Sequence, residues 1–134
     1  MDLKILKIAS NTENHKIFNN YTHKSKLKSM PCGDEMQITI KIVNDQIIKF
    51  GYECKSCIYC QASASTLSRI STNKSLNKIN ELINLVEKFS KTSELKFSKE
   101  WKELKILFNK KNISRKECLL LPFKTISKAL KFKS

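Results

Sequence analysis

The chain has 134 residues, 40% of them apolar, enough for one domain spanning 1–134 with a core that needs no disulfides. No stretch approaches the roughly 18 to 20 apolar residues of a membrane span, and Met1-Asp2-Leu3-Lys4 lacks the features of a secretory leader, so the expectation is a cytoplasmic chain, away from membranes, whose thiols stay reduced. The formal net charge of +14 is carried by lysines scattered from Lys4 to Lys133, with Arg69 and Arg115 the only arginines, which describes a solvated basic surface rather than a dedicated reader of base edges.

Residues 2–8 space Leu3 from Leu6 and Ile5 from Ile8 by three, which permits a short helix with Asp2 favouring its N-terminus. A polar loop is expected over 10–20 and an extended segment over 21–29. Met36, Ile38, Ile40 and Ile42 alternate with Gln37, Thr39 and Lys41, the pattern of a half-buried strand. Asn44-Asp45 supplies turn residues that tolerate left-handed backbone, and 46–52 is the return strand of a hairpin. With the earlier extended segment this makes a small antiparallel meander. Small residues from Ala62, with Leu67 and Ile70, predict a helix packed closely on the sheet. Ser75 caps a second helix carrying Leu76, Ile79, Leu82, Ile83, Val86 and Phe89. A polar connection over 91–98 leads to a shorter helical or irregular piece around Trp101 and Leu104. Ser114 is the expected cap of a final helix reaching about Lys131, with Pro122 predicting a kink or restart.

The chemistry lies in five cysteines, an odd count that speaks against full disulfide pairing. Cys32 stands in Pro-Cys-Gly-Asp, where Gly33 allows a tight turn that aims the thiol and the Asp34 carboxylate toward one point. Cys57 is the centre of Cys54-Lys-Ser-Cys57-Ile-Tyr-Cys60 and just precedes a predicted helix, whose N-terminus favours a thiolate. Cys118, near the first turn of the last helix, is expected to be activated in the same way but more weakly. Thiolates joined by one hard oxygen suit tetrahedral zinc or a loosely held iron–sulfur cluster. The plainer readings stand beside these: a cysteine is more often a small buried hydrophobe, and Asp34 a turn carboxylate. Cys-x-x-Cys alone is half a zinc site or a redox pair, and His15 and His23 have no regular spacing to another ligand.

Pro-Cys-Gly-Asp, an alternating strand, a hairpin, Cys57 followed by Gln61-Ala-Ser-Ala-Ser, and a late Arg-x-x-Cys-x-x-Leu-Pro together resemble the iron–sulfur cluster assembly scaffold family, the NifU N-terminal-like proteins of IscU and SufU types. The similarity runs from about Tyr21 to Leu130. It implies an α+β fold, a three-stranded antiparallel sheet packed against several helices, with cysteines gathered at one exposed end. It implies Cys32, Asp34, Cys57 and Cys118 as ligands of an iron–sulfur cluster, [2Fe–2S] in type, or of zinc. Cys118, Cys57 and Cys32 are then the candidates to accept sulfur. The implied partners are a cysteine desulfurase and acceptor apo-proteins, in a carrier rather than an enzyme. Cys54 stands where the family has glycine, Ser56 replaces the glycine before the ligand cysteine, and Cys60 has no family counterpart. Glu117 stands where the IscU type has histidine, and the IscU-type Leu-Pro-Pro-Val-Lys segment read by a chaperone is missing. The long interval from Cys57 to Cys118 resembles the SufU type.

Three functions follow for test: a cluster scaffold, a zinc-bound sulfur acceptor with sulfurtransferase character, and a basic zinc-stabilised nucleic-acid module. The extra thiols are expected to be dispensable for metal, with Cys60 packed inward and Cys54 on the approach loop.

Overall fold

The computed structural model describes residues 3–29, 33–92 and 94–131. Cys32 and Asp2 lie outside these, so the expectations placed on them do too. The elements in chain order are α1 (Leu3–Ala9), β1 (His23–Lys28), β2 (Glu35–Val43), β3 (Gln46–Lys55), α2 (Ile58–Ser71), α3 (Leu76–Glu87) and α4 (Lys116–Lys131), with 3-10 turns at Lys88–Ser90, Lys99–Ile106 and Lys110–Arg115 between the last two helices.

The strands form the expected antiparallel sheet in the order β1-β2-β3. Asn44 and Asp45 turn the hairpin at φ of 53° and 60°, the twin left-handed residues that a two-residue turn demands. The alternation seen in the sequence sets the faces: Met36, Ile38 and Ile40 sit opposite Cys54, Tyr52 and Phe50, all buried on the inner side. A register shift at Lys41/Ile42 brings Ile42 opposite Ile47 and leaves Ile48 42% exposed. The outer face is not bare, because the loop over 10–20 crosses it. Tyr52 donates its amide to the Asn14 carbonyl at 3.0 Å, and Thr39 beneath the loop is buried. A Cβ on Gly51 would collide with the Lys16 carbonyl and lie 3.0 Å from Phe18 and 3.1 Å from Thr39, so glycine is what lets the loop approach.

Helix α2 is buried nearly all round through Ala62, Ser63, Ala64, Ser65, Thr66 and Ser68. Its small side chains let α4 come close, and the hydroxyls find acceptors: Ser63 Oγ donates to the Leu119 carbonyl at 2.6 Å and Ser65 Oγ to the Asn11 carbonyl at 3.0 Å. The helix begins four residues earlier than the small-residue run predicts, with Cys57 as its N-cap, because Ile58 and Cys60 join the apolar core. Ser75 caps α3 as expected, accepting from the Lys78 amide at 3.3 Å.

Two expectations for α4 are corrected. Ser114 falls inside the preceding 3-10 turn, and α4 starts at Lys116 as a continuation of it. The helix does not restart at Pro122 and runs on to Lys131. Pro122 cannot donate to the Cys118 carbonyl, but tertiary packing outweighs that cost: Cys118 to Phe123 are all buried. Phe108, between the two helices, meets Phe89 and Phe123 edge-on at 5.2 and 5.5 Å, which fastens the irregular segment over 88–115 to the core.

Candidate metal centre

Antiparallel pairing alone brings two of the site residues together. Glu35, the first residue of β2, pairs with Lys55, the last of β3, so Asp34 just before β2 and Cys57 just after β3 emerge at the same end of the sheet. Gly33 takes φ of 72°, and Ser29 accepts from the Gly33 amide and donates to the Asp34 carbonyl, each at 2.7 Å. This closes the β1–β2 connection and fixes where Asp34 stands. Helix α4 lies against α2 and β1, where Ser25 Oγ donates to the Thr125 carbonyl. That packing sets Cys118, in the first turn of α4, beside the N-terminus of α2.

The result is a set of three donor atoms, one carboxylate oxygen of Asp34 and the sulfurs of Cys57 and Cys118, all within 4.8 Å of one another. Ligands on one tetrahedral ion stand about 3.3 to 3.8 Å apart for bonds of roughly 2.0 to 2.3 Å, so a small side-chain rotation suffices to share a metal. Asp34 is 7% exposed, and its Oδ2 is buried with no hydrogen-bond partner among the described residues. An oxygen so placed costs folding free energy unless a cation or donor meets it. Glu35 does not compete for the site: it pairs with Lys26 at 2.9 Å, and that lysine holds its carboxyl below the usual range.

The electrostatics correct one expectation. Cys118 is not activated by its helix start; burial pushes its thiol pKa up, and the adjacent Cys57 sulfur and Asp34 carboxylate push it further. The preceding 3-10 turn already uses the amide of Lys116, which bonds to the Ile113 carbonyl, so the helix start offers less field than a free N-terminus. The Cys118 proton is therefore held until a cation takes its place.

Cys54 and Cys60 stand outside the three-donor set. Cys60 is fully buried, as expected, and burial raises its pKa strongly. Cys54 is not on an approach loop; it is a buried inner-face residue of β3, and its amide donates to His15 Nε2 at 3.2 Å. Burial raises its pKa as well. His15 also lies against the Tyr52 ring at 5.0 Å, which gives it a structural role, while His23 Nδ1 lies 2.7 Å from Thr22 Oγ1. Ser56, noted above only as a departure from the family's glycine, ties this loop together: its hydroxyl donates to the Cys57 carbonyl at 3.4 Å and its carbonyl accepts from the Gln61 side chain at 2.9 Å. Both arginines are used within the chain, Arg69 on Glu103 and Arg115 over the Tyr59 ring. Among the described residues no helix is long and apolar enough to cross a membrane.

Comparison with known proteins places this geometry in context. The NifU-like N terminal domain model matches residues 2–100, a span that holds Cys32, Asp34 and Cys57 and ends before Cys118. The iron-sulfur cluster assembly scaffold protein IscU of Thermotoga maritima is 30% identical over 105 residues, 78% of this chain and 73% of that protein. An uncharacterized protein of Borreliella burgdorferi is 31% identical over 111 residues, 83% of this chain and 73% of that protein. The crystal structure of a nitrogen-fixing NifU-like protein (N-terminal) from Brucella abortus superposes with a TM-score of 0.88 at 18% identity, covering 97% of this chain and 91% of that one. A putative iron-sulfur cluster assembly scaffold protein for the SUF system from Fervidobacterium islandicum superposes with a TM-score of 0.86 at 23% identity, covering 97% and 96%. These two share the fold through α4.

Proposed function

As a member of the NifU-like N-terminal domain family, this chain is, we propose, a cytoplasmic single-domain scaffold on which sulfur and iron are joined into a cluster that is then passed to acceptor apo-proteins. The observation that carries the reading is the approach of Asp34, Cys57 and Cys118 to within 4.8 Å at the N-termini of α2 and α4, with Asp34 and Cys118 buried and Cys57 partly exposed. Cys32, two residues before Asp34 in the same connection, supplies the third thiolate and fourth ligand. The cluster is cargo, [2Fe–2S] in type, and the chain is a carrier rather than an enzyme. Soft thiolates hold the iron, while the harder oxygen of Asp34 leaves it more readily. Sulfur comes from a cysteine desulfurase as a persulfide taken by Cys118, Cys57 or Cys32. A nucleic-acid role gains no support from arginines already engaged within the chain.

A second reading uses the same residues. One carboxylate and three thiolates also suit tetrahedral zinc, and a zinc-bound sulfur acceptor of the SufU type would free one thiolate to attack the desulfurase persulfide. The unpartnered Asp34 oxygen favours this reading, since zinc takes carboxylate ligands readily. Elemental analysis with an absorption spectrum of protein purified without oxygen decides between them. Iron with acid-labile sulfide supports the scaffold; one zinc per chain without sulfide supports the sulfur acceptor.

A further inference from the structure

Cys57 and Cys60 occupy the N-cap and the third residue of α2, and the Gln61 amide closes the first helical turn on the Cys57 carbonyl at 3.1 Å. Side chains at these two positions, an N-cap and the residue three on, share one face of the helix start, the Cys-x-x-Cys placement of dithiol–disulfide pairs. Cys57 makes no side-chain capping hydrogen bond, so its sulfur can turn from the metal site toward the helix. The two thiols differ in access: Cys57 is partly exposed and Cys60 fully buried behind it. A partly exposed thiol at a helix N-cap with a buried thiol one turn on is the arrangement of a dithiol–disulfide redox pair.

We propose that Cys60 is a resolving thiol that reduces persulfide sulfur on Cys57 to sulfide at the assembly site. The inference rests on the scaffold reading and deepens it. A persulfide delivers sulfur two electrons short of the sulfide that a cluster needs. The Cys60 sulfur attacks the inner sulfur of Cys57–S–SH, the bond between the two persulfide sulfurs breaks, and the outer sulfur leaves with its electron pair. The Cys60 proton passes to it, giving hydrogen sulfide and a Cys57–Cys60 disulfide. The two thiols are oxidised by the two electrons that the sulfur gains, and an external dithiol reductant restores the pair.

The test loads the metal-free chain with a pulse of sodium polysulfide, removes the excess, and follows it without oxygen, metal or added thiol. Expected are sulfide release at a first-order rate independent of protein concentration and an equal amount of Cys57–Cys60 disulfide on peptide mapping. Cys60→Ala and Cys60→Ser should each retain the persulfide and release sulfide at least about tenfold more slowly, with Cys54→Ala unchanged. Release at the parent rate from both Cys60 variants, or a peptide map joining Cys57 to Cys54 or Cys118, overturns the proposal, and the map needs no variant to fold. If cluster assembly and transfer persist while no Cys57–Cys60 disulfide forms, this inference alone fails. If the disulfide and sulfide form but no cluster is ever held, the redox pair stands and the scaffold reading fails.

Discussion

Asp34, at the head of β2, and Cys118, in the first turn of α4, bring a carboxylate oxygen and a sulfur to within 4.8 Å across most of the chain's length. The contact depends on the whole fold, since sheet pairing fixes one partner and packing of α4 on α2 fixes the other. A folded chain therefore presents ligands already gathered, and an unfolded one presents none of them together.

Asp34 should limit how long a cluster stays. Its oxygen is the hardest donor in the set, so Asp34→Ala is expected to prolong the lifetime of a reconstituted cluster on the order of tenfold, about 1.4 kcal/mol. The decay of visible absorption in the presence of an iron chelator measures it. Faster loss from the variant would reverse the assignment.

Single serine replacements sort the thiols. Cys32→Ser, Cys57→Ser and Cys118→Ser should each lose bound metal, while Cys54→Ser and Cys60→Ser keep the parent stoichiometry after identical reconstitution under reducing conditions. Equal loss at positions 54, 57 and 60 would instead describe a local Cys-x-x-Cys-x-x-Cys centre.

Metal binding should release protons. Burial and the neighbouring Cys57 and Asp34 raise the Cys118 pKa in the apo chain, so its proton must leave as the metal enters. Affinity is then highest at alkaline pH and falls as pH falls, by about tenfold per pH unit for each proton displaced. Zinc titrations at two pH values in weakly metal-binding buffers check the slope. A pH-independent affinity would mean that Cys118 does not ligate.

Gly51 tests how the loop over 10–20 is held. Gly51→Ala drives a methyl group into the Lys16 carbonyl and tightens contacts to Phe18 and Thr39, which should cost about 1 to 3 kcal/mol. Thermal unfolding should show a Tm lower by several degrees, with the metal stoichiometry of the surviving folded protein unchanged. An unchanged Tm would show that the loop yields freely.

The sheet was legible because its signals are local. Met36 to Ile42 alternate cleanly, and Asn44-Asp45 has few conformations to choose from. The meeting of Asp34 with Cys57 follows from the hairpin register, and that of either with Cys118 does not. It arises from the contact of α4 with α2, which composition alone does not specify. The restart at Pro122 failed for the same reason: its local cost is real, and burial of the surrounding turn overrides it. Cys54 was misplaced because β3 runs three residues past the expected end, so a residue read as loop is a core residue of the strand. The weaker activation of Cys118 was a local argument from helix ends, and burial beside two other acids reverses its sign.

Cluster transfer tests the central claim most directly. The chain, reconstituted with iron and sulfide and freed of excess, is mixed with an apo-ferredoxin in the presence of an iron chelator, and the acceptor's spectrum is followed. The account predicts that the ferredoxin gains its cluster faster than from the same amounts of free iron and sulfide, that the chain returns to its apo form, and that a Cys57→Ser, Cys118→Ser double variant gives no transfer. Assembly of the acceptor no faster than from the free ions, or transfer undiminished in the double variant, would contradict it.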